Sequence, residues 1–483
     1  MTSSILQSGR NCWKKARADR FGVIFDAEDY FVAVKQAILE ARQVVYLIGW
    51  DFDTRIEFEP EGASLDGPNK LGRFLKWIGK TRPDLQVHIL KWDLGLFTSL
   101  GRGTMPFRLL NLMSSSNIHF KLDGAHPPAS AHHQKIVVID DVLAFCGGID
   151  ITTERWDTRW HLDDDVRRKM PNGKPHGPWH DATSVLSGPV AKLLGDVARE
   201  RWFAATSEKL LEPNRNDPLW PEAVQVLLRD VEVAIARTLP AYRDRPEVRE
   251  IETLYLDAIA GAKDIIYCES QYFASRRIAE AMAARLQEPE GPEIIVINPE
   301  SADGYLESKT MDTARARLLQ LVGAADRHDR FRIFTPVTEK GSPIYVHAKI
   351  TIIDDRLLRV GSSNFNNRSM GFDSECDVAI EAPSDDRAGA TASVIETIRT
   401  ELLAEHLATE PHAIRDAIAL AKGSFVQAID RLLGPGKTLR PYVPDEVGAF
   451  EETLAENDLL DPESPKKLYA SLTGGGWRPG ALR

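Results

Sequence analysis

Apolar residues recur at helical spacing from Glu28 to Arg42 (Phe31, Val32, Val34, Ala37, Ile38, Ala41), which predicts an amphipathic helix. The apolar run Val44 to Ile48 then predicts a strand that leads into Gly49-Trp50-Asp51. The same reading predicts a helix over Gly67 to Lys80, a strand over Gln86 to Trp92 and a helix over Ala191 to Ala204. Leu94 to Ser114 has weak periodicity and several glycines and receives no assignment. Lys121 to Ala131, with Pro127 and Pro128, reads as a loop, and Pro213 to Pro221 as a linker. Past that linker the pattern returns. Ala37 to Tyr46 and Ala258 to Tyr267 share an Ala-Ile-x-x-Ala-basic-x-β-branched-β-branched-Tyr order, and the strand Val87 to Leu90 has a counterpart in Ile294 to Ile297. The chain therefore reads as a duplicated α/β unit with loops of unequal length: mixed, largely parallel sheets flanked by helices, with a pseudo-twofold site between the halves. The expected division is residues 1–212, 213–408 and a C-terminal extension, 409–483. In that extension Pro411 to Leu433 looks helical and the remainder is rich in Pro, Gly and acidic residues.

Two of the strands carry polar residues where they begin. Ile344 to Asp354 contains His347, Lys349 and Asp354 in the order His-x-Lys-x4-Asp, and Gly361-Ser362-Ser363-Asn364 follows. Lys349 to Ile353 is almost wholly β-branched, which predicts a buried strand. On a strand His347 and Lys349 face the same way, and placing both in a buried position carries a desolvation cost. One such pair could be a satisfied histidine beside a snorkelling lysine. The pattern occurs twice: His133, Lys135 and Asp140 repeat it, and Gly147-Gly148-Ile149-Asp150 follows at the same interval. Two matched copies argue for function. After the first copy comes a loop dense in Trp, His and Asp: Arg155-Trp156-Asp157, His161, Asp163-Asp164-Asp165 and Pro178-Trp179-His180-Asp181. Such a loop on a rigid sheet is either functional or a solvated charged surface.

Composition narrows the function classes. The chain has 483 residues, a formal net charge of −11, 43% hydrophobic and 27% charged residues, which is ordinary for a soluble globular protein of two or three domains. The acidic balance weighs against a coat for nucleic acid. Cys12, Cys146, Cys268 and Cys376 are too scattered for a zinc motif or a disulfide framework. Met1 to Phe21 lacks a secretory apolar segment, and no apolar run reaches the length of a membrane span. The expectation is a cytoplasmic or peripheral membrane protein, with signal-less export left open. Trp50, Trp92, Trp156 and Trp160 could form an apolar rim for lipid tails, though core positions suit most of them better.

Two imidazoles and two ammonium groups converging on one site suit a phosphodiester. The lysines would neutralise the non-bridging oxygens, one histidine would attack phosphorus, and the other would protonate the leaving alcohol. No cofactor and no metal are expected; a cation site built from His132, His133, His180 and the Asp165 group is the alternative. A nucleophilic imidazole needs its second nitrogen held by an acceptor. The candidates are Asp163 to Asp165 in the first half and Asp373, Glu375 and Asp377 in the second.

The paired His-x-Lys-x4-Asp motifs resemble the phospholipase D superfamily, from about Gln43 to Ala382. Gly147 to Asp150, Arg155 to Asp157, Pro178 to Asp181, Glu269-Ser270-Gln271-Tyr272-Phe273, Ile344 to His347 and Asn366-Asn367-Arg368-Ser369-Met370, with Asp373-Ser374-Glu375, are similar to its true phospholipase D enzymes of the eukaryotic type. The resemblance implies hydrolysis of phosphatidylcholine-like glycerophospholipids at a membrane surface. The products are phosphatidic acid and the head-group alcohol, with transphosphatidylation when an alcohol replaces water as acceptor. It implies His133 as nucleophile, His347 as general acid and base, and phosphate contacts from Lys135, Lys349 and Asn364. It also implies Asp165 and Glu375 as the acidic partners of the histidines. Asp140 and Asp354, at the far ends of the strands, are read as structural, with Gly147, Gly361 and Ser362 as structural parts of the motifs. Gly148 and Asp150 depart from the family's Gly-Ser-x-Asn form, and Asp150 receives no role. A monomer without a nucleic-acid partner is expected. The alternatives are a phosphatidyltransferase of the cardiolipin synthase type, a nuclease of the same superfamily and an inactive scaffold.

Overall fold

The structure, a computed structural model, describes residues 4–93, 115–302, 305–383, 389–444 and 461, the side chains of 305–309 excepted. Leu94 to Ser114 and most of the chain past 444 lie outside the described residues. The elements run β1 (Lys14–Phe25), α1 (Ala27–Glu40), β2 (Val44–Gly49), α2 (Leu71–Thr81), β3 (Gln86–Trp92), β4 (Ile118–Asp123), β5 (Ile136–Ile139), β6 (Leu143–Gly147), β7 (Trp179–His180), β8 (Ala182–Ser187) and α3 (Pro189–Thr206). They continue with β9 (Leu228–Leu239), β10 (Val248–Arg249), α4 (Glu250–Gly261), β11 (Ile265–Glu269), α5 (Arg276–Leu286), β12 (Glu293–Ile297), α6 (Tyr305–Ala325), β13 (Phe331–Val337), β14 (Tyr345–Val346), β15 (Ile350–Ile353), β16 (Leu357–Gly361), a π-helical turn (Arg368–Phe372) and β17 (Glu375–Glu381). The last are α7 (Ala390–His406), α8 (Pro411–Leu420), α9 (Phe425–Leu432) and β18 (Thr438–Pro441).

Sixteen of the strands form one mixed sheet flanked by helices, in the order β18-β13-β12-β11-β15-β16-β17-β9-β1-β8-β6-β5-β2-β3-β4, with β10 beside β9. Read outward from the central β9–β1 pair, the order is the same on both sides: β17-β16-β15-β11-β12-β13 in one direction and β8-β6-β5-β2-β3-β4 in the other. Within this sheet parallel pairing is confined to the outer strands β2-β3-β4 and β11-β12-β13; the separate β7–β14 pair is also parallel. The inner strands are antiparallel because β5–β6 and β15–β16 are tight hairpins, so the sheet is less parallel than expected.

The polar start of the chain hides β1, which pairs with both β8 and β9 at the middle of the sheet. Its residues alternate exposed or half-buried polar groups with buried Ala18, Phe21, Ile24 and Phe25, so no apolar run announces it. One core is shared across the centre. There α3 (Leu194, Trp202) and α7 (Ile395, Leu402) pack with strand residues of both sides, such as Val138 and Ile352. Two further cores lie under α1 and α2, and under α4 and α5. The helix expected over Pro411 to Leu433 is two helices. Lys422 and Gly423 adopt positive φ (56° and 95°), and Ser424 then caps α9 by accepting from Gln427 N at 3.1 Å. Within the expected extension β18 pairs with the sheet edge at β13. Among the described residues no helix is long and apolar enough to cross a membrane.

Candidate active site

Each motif straddles the start of a central strand. His133 and Lys135 precede β5; His347 and Lys349 lie between β14 and β15. At the far strand ends, Asp140 accepts from the backbone N–H groups of Arg42, Gln43 and Val44 at 2.6–2.8 Å, and Asp354 from those of Lys263, Asp264 and Ile265. Both aspartates thus fasten the start of the neighbouring strand, away from the histidines.

The backbone in front of each histidine crosses to the other half. His133 N donates to Ser374 O at 2.9 Å, and His347 N donates to His180 O at 2.7 Å, where β14 pairs with β7. The crossing exchanges the carboxylates. Glu375 sits behind His133, its two oxygens each 3.1 Å from Nδ1. Asp181 sits behind His347, with Oδ2 2.6 Å from Nδ1. Each Nδ1 is engaged, which leaves Nε2 of each ring for chemistry. Ser362 and Ser369 donate to Glu375 at 2.5 and 2.7 Å. In the first half Gly148 stands where Ser362 does, and a Cβ there would lie 2.2 Å from Asp181 Oδ1. The departure from Gly-Ser-x-Asn therefore makes room for the second carboxylate.

The lysines are buried, and each donates to the backbone carbonyl of its own motif histidine, but their further partners differ. Lys135 Nζ lies 3.1 Å from Asp150, whose other oxygen accepts from the Trp50 and Asp51 N–H groups. Lys349 Nζ and Asn364 Nδ2 lie 3.4 and 3.3 Å from Gln271 Oε1. His133, His347 and Asn364 line a cavity of about 360 Å³. Its wall includes Trp50, stacked on Trp92 at 5.8 Å, and Trp179, with the Arg155 guanidinium 4.1 Å above its ring. Trp156 is buried, whereas Trp160 is 75% exposed.

Burial dominates the electrostatics. It pulls both His133 and His347 well below the usual imidazole range, with the ammonium groups of Lys135 and Lys349 pushing His133 the same way and Lys349 and Arg155 pushing His347. Burial brings Lys349 down to about 7 and Glu375 up to about 8, and raises Asp181. Burial thus disfavours the charged forms of His133, His347, Lys349, Glu375 and Asp181. An anion in the cavity would offset the like-charge repulsion of Lys349 with Lys135 and Arg155.

Asp165 is not beside a histidine, contrary to expectation. It forms a two-pronged ion pair with Arg167 at 2.6–3.1 Å, which holds it below the usual carboxylate range. Asp163 accepts from Thr338 and from Lys340 N; Asp373 pairs with Arg368 and Asp377 with Arg359. The alternative cation site is not assembled either. His132 faces Ser374, Asp123 and Arg201, while His180 donates into a separate cluster at Glu269. Asp181, Gln271 and Arg155 are the site residues to which sequence reasoning gave no role. Asp181 could have been found by symmetry, since β8 and β17 pair equivalently with the two motif glycines, Gly147 with Thr183 and Gly361 with Asp377.

Comparison with known proteins bears on this geometry. A family model described as "Phospholipase D" matches residues 37–281, and one described as "Cardiolipin synthase, PLD-like domain" matches residues 255–398. Phospholipase D alpha 1 of Carica papaya is 24% identical over 74% of the chain and 60% of that relative. Phospholipase D A of Dictyostelium discoideum is 25% identical over 71% of the chain and 31% of that relative. The chain thus spans about 60% or less of these relatives' lengths. Among solved structures, phosphatidylserine synthase of Haemophilus influenzae aligns with a TM-score of 0.54 at 12% identity, covering 85% of this chain and 95% of that one, which speaks to fold alone.

Proposed function

The chain belongs to the phospholipase D family, and from that premise we propose that it hydrolyses glycerophospholipids of the phosphatidylcholine kind through a covalent phosphohistidine. The observation that carries the reading is the exchanged pair of imidazole–carboxylate contacts, His133–Glu375 and His347–Asp181, at one cavity, with Lys135 and Lys349 buried beside its lining residues Trp50 and Gln271. Nε2 of His133 attacks phosphorus; the N–P bond forms as the P–O bond to the head group breaks. Lys135, Lys349 and Asn364 hold the non-bridging oxygens as negative charge builds on them. The bound phosphate lets His347 take up a proton, which it gives to the departing alkoxide. Water, or another alcohol, then loses its proton to His347 and displaces His133 from phosphorus. Asp150 pairs with Lys135 through one oxygen and its second oxygen is committed to backbone N–H groups, so it need not face the phosphate. A peripheral, monomeric enzyme meeting its substrate at a membrane surface fits this reading.

Product analysis tests it. Phosphatidylcholine vesicles with EDTA are expected to yield choline and phosphatidic acid, and phosphatidylethanol at the expense of phosphatidic acid once ethanol is added. Absence of lipid turnover, with cleavage of DNA or an aryl phosphodiester instead, would move the substrate to the nuclease branch. The match of residues 255–398 to the cardiolipin synthase description supports a second reading as a phosphatidyltransferase. Phosphatidyl transfer to phosphatidylglycerol without choline release would favour that reading.

Lys349 gives the reaction a pH signature. Brought down to about 7, it is charged below that pH and neutral above it. The ratio kcat/KM, which reports free-enzyme groups, is expected to fall as pH rises through about 7. In kcat the limb is expected at higher pH, because bound phosphate holds the ammonium charged. Lys349→Arg should remove the kcat/KM limb while lowering the plateau; an unmoved limb would assign it to another group.

A further inference from the structure

Behind the catalytic cavity lies a second cluster of titratable groups, made by Asp26 at the end of β1, His161 in the long loop, His180 of β7 and Glu405 of α7. All four side chains are buried. We propose that these four residues form a structural site for a divalent transition ion of the zinc class.

Geometry argues first. A tetrahedral ion at about 2.0–2.2 Å from nitrogen and oxygen donors sets neighbouring donors about 3.4 Å apart. His161 Nε2 lies 3.7 Å from Asp26 Oδ2 and 3.3 Å from Glu405 Oε1; His180 Nδ1 lies 3.1 Å from Glu405 Oε1 and 3.3 Å from Asp26 Oδ1. Each histidine nitrogen thus lies about a tetrahedral edge from Glu405 Oε1 and from one oxygen of Asp26, Oδ2 for His161 and Oδ1 for His180, and the four residues each place one donor atom within 4.8 Å of the others.

The partners behind the donors argue next. His161 gives Nδ1 to Asp157 at 3.0 Å, and His180 gives Nε2 to Glu269 at 2.8 Å. Each imidazole thus presents its remaining nitrogen inward with a carboxylate fixing its tautomer, the arrangement that orients histidines at metal centres. Asp157 is braced by Arg168 and the Trp179 N–H, Glu269 by the Tyr267 hydroxyl and His406, and the second oxygen of Glu405 by Arg159.

A third observation separates an ion from protons. Asp26 Oδ2 and His180 Nδ1 have no hydrogen-bond partner, although each lies in the buried interior and faces the cluster. A proton on His180 Nδ1 would have carboxylate oxygens nearby but no acceptor in line. A metal ion needs only lone pairs converging on a point. Charge is compatible: Arg159 pairs with Glu405 and Arg168 with Asp157, with Lys437 close by, and the remaining acidic charge at Asp26 and Glu269 is there for a cation to meet. Two imidazoles and two carboxylates suit zinc better than calcium or magnesium, which take oxygen ligands. All four positions are protein donors, so the ion carries no chemistry. It ties α7 to β1 and to β7, next to Asp181. Enclosed in this way it exchanges slowly, so brief EDTA treatment does not bear on catalysis.

The test uses the full chain purified without a metal-affinity tag. Elemental analysis after dialysis against EDTA is expected to find about one zinc-class ion per chain. Refolding with Co²⁺ should give the visible absorption of a tetrahedral site. Refolding with Zn²⁺ should recover more folded protein than refolding with chelator. His161→Asn and Glu405→Gln should lose the ion. Wild-type protein that carries no metal, takes up none on refolding and folds equally well with chelator would overturn the site in favour of buried ion pairs. Unchanged metal content in both variants would also overturn it. Neither readout depends on the substrate proposed above.

Discussion

His133→Asn is expected to abolish turnover of every substrate, with kcat lowered by about 10⁴-fold or more, because it removes the atom that bonds to phosphorus. His347→Asn should be equally deficient on a phospholipid, whose alkoxide leaves only with a proton, but it should differ on an aryl phosphodiester. A nitrophenolate departs unprotonated. His347→Asn should therefore release it in a burst of about one equivalent and then stall, with phosphate held on His133 and no base to activate water. Quenched-flow kinetics and acid-labile, base-stable labelling of the protein read both results. A burst in the His133 variant and none in the His347 variant would reverse the two roles. Absence of a burst in either would remove the covalent intermediate.

Local repetition is legible in the chain, whereas contacts made across it are not. Strand β3 and the runs around both motifs were legible because their apolar patterns are short, dense and duplicated. The inner strand β1 escapes a pattern reading, although it sits at the centre of the sheet, because five of its twelve residues, all in its first seven positions, are charged and lie at a partly exposed face. The roles of Asp140 and Asp354 could be approached from spacing alone, since a side chain beyond the strand end cannot return to its start. The crossing of the two motif segments could not. Nothing local in Val346-His347 reveals that its backbone partner is His180, or that His133 lies against Ser374. Trp156 and Trp160 share one loop and one residue type, yet one is core and the other solvent-facing. A loop without periodicity does not declare which side is inward.

That crossing produces the second large effect. Asp181→Asn is expected to lower kcat by about 10²- to 10⁴-fold with little change in KM, since an amide beside His347 Nδ1 can donate and so favours the wrong tautomer. The Gly148 environment admits the amide without a clash because aspartate and asparagine are isosteric, so folding is expected to survive. Asp165→Asn, which loses only part of a two-pronged ion pair to Arg167, should leave kcat within a few-fold. The contrast is diagnostic because sequence order favours the opposite result. Asp165 belongs to a conspicuous acidic run, whereas Asp181 is hidden by a loop that is much longer than its counterpart between His347 and Glu375. The burst with an aryl substrate offers an internal control. It should persist in Asp181→Asn, whose damage falls on proton transfer, and should be slowed in Glu375→Gln, whose damage falls on the nucleophile. If Asp165→Asn proved the more damaging substitution, the exchanged carboxylates would be excluded as the groups that orient the histidines.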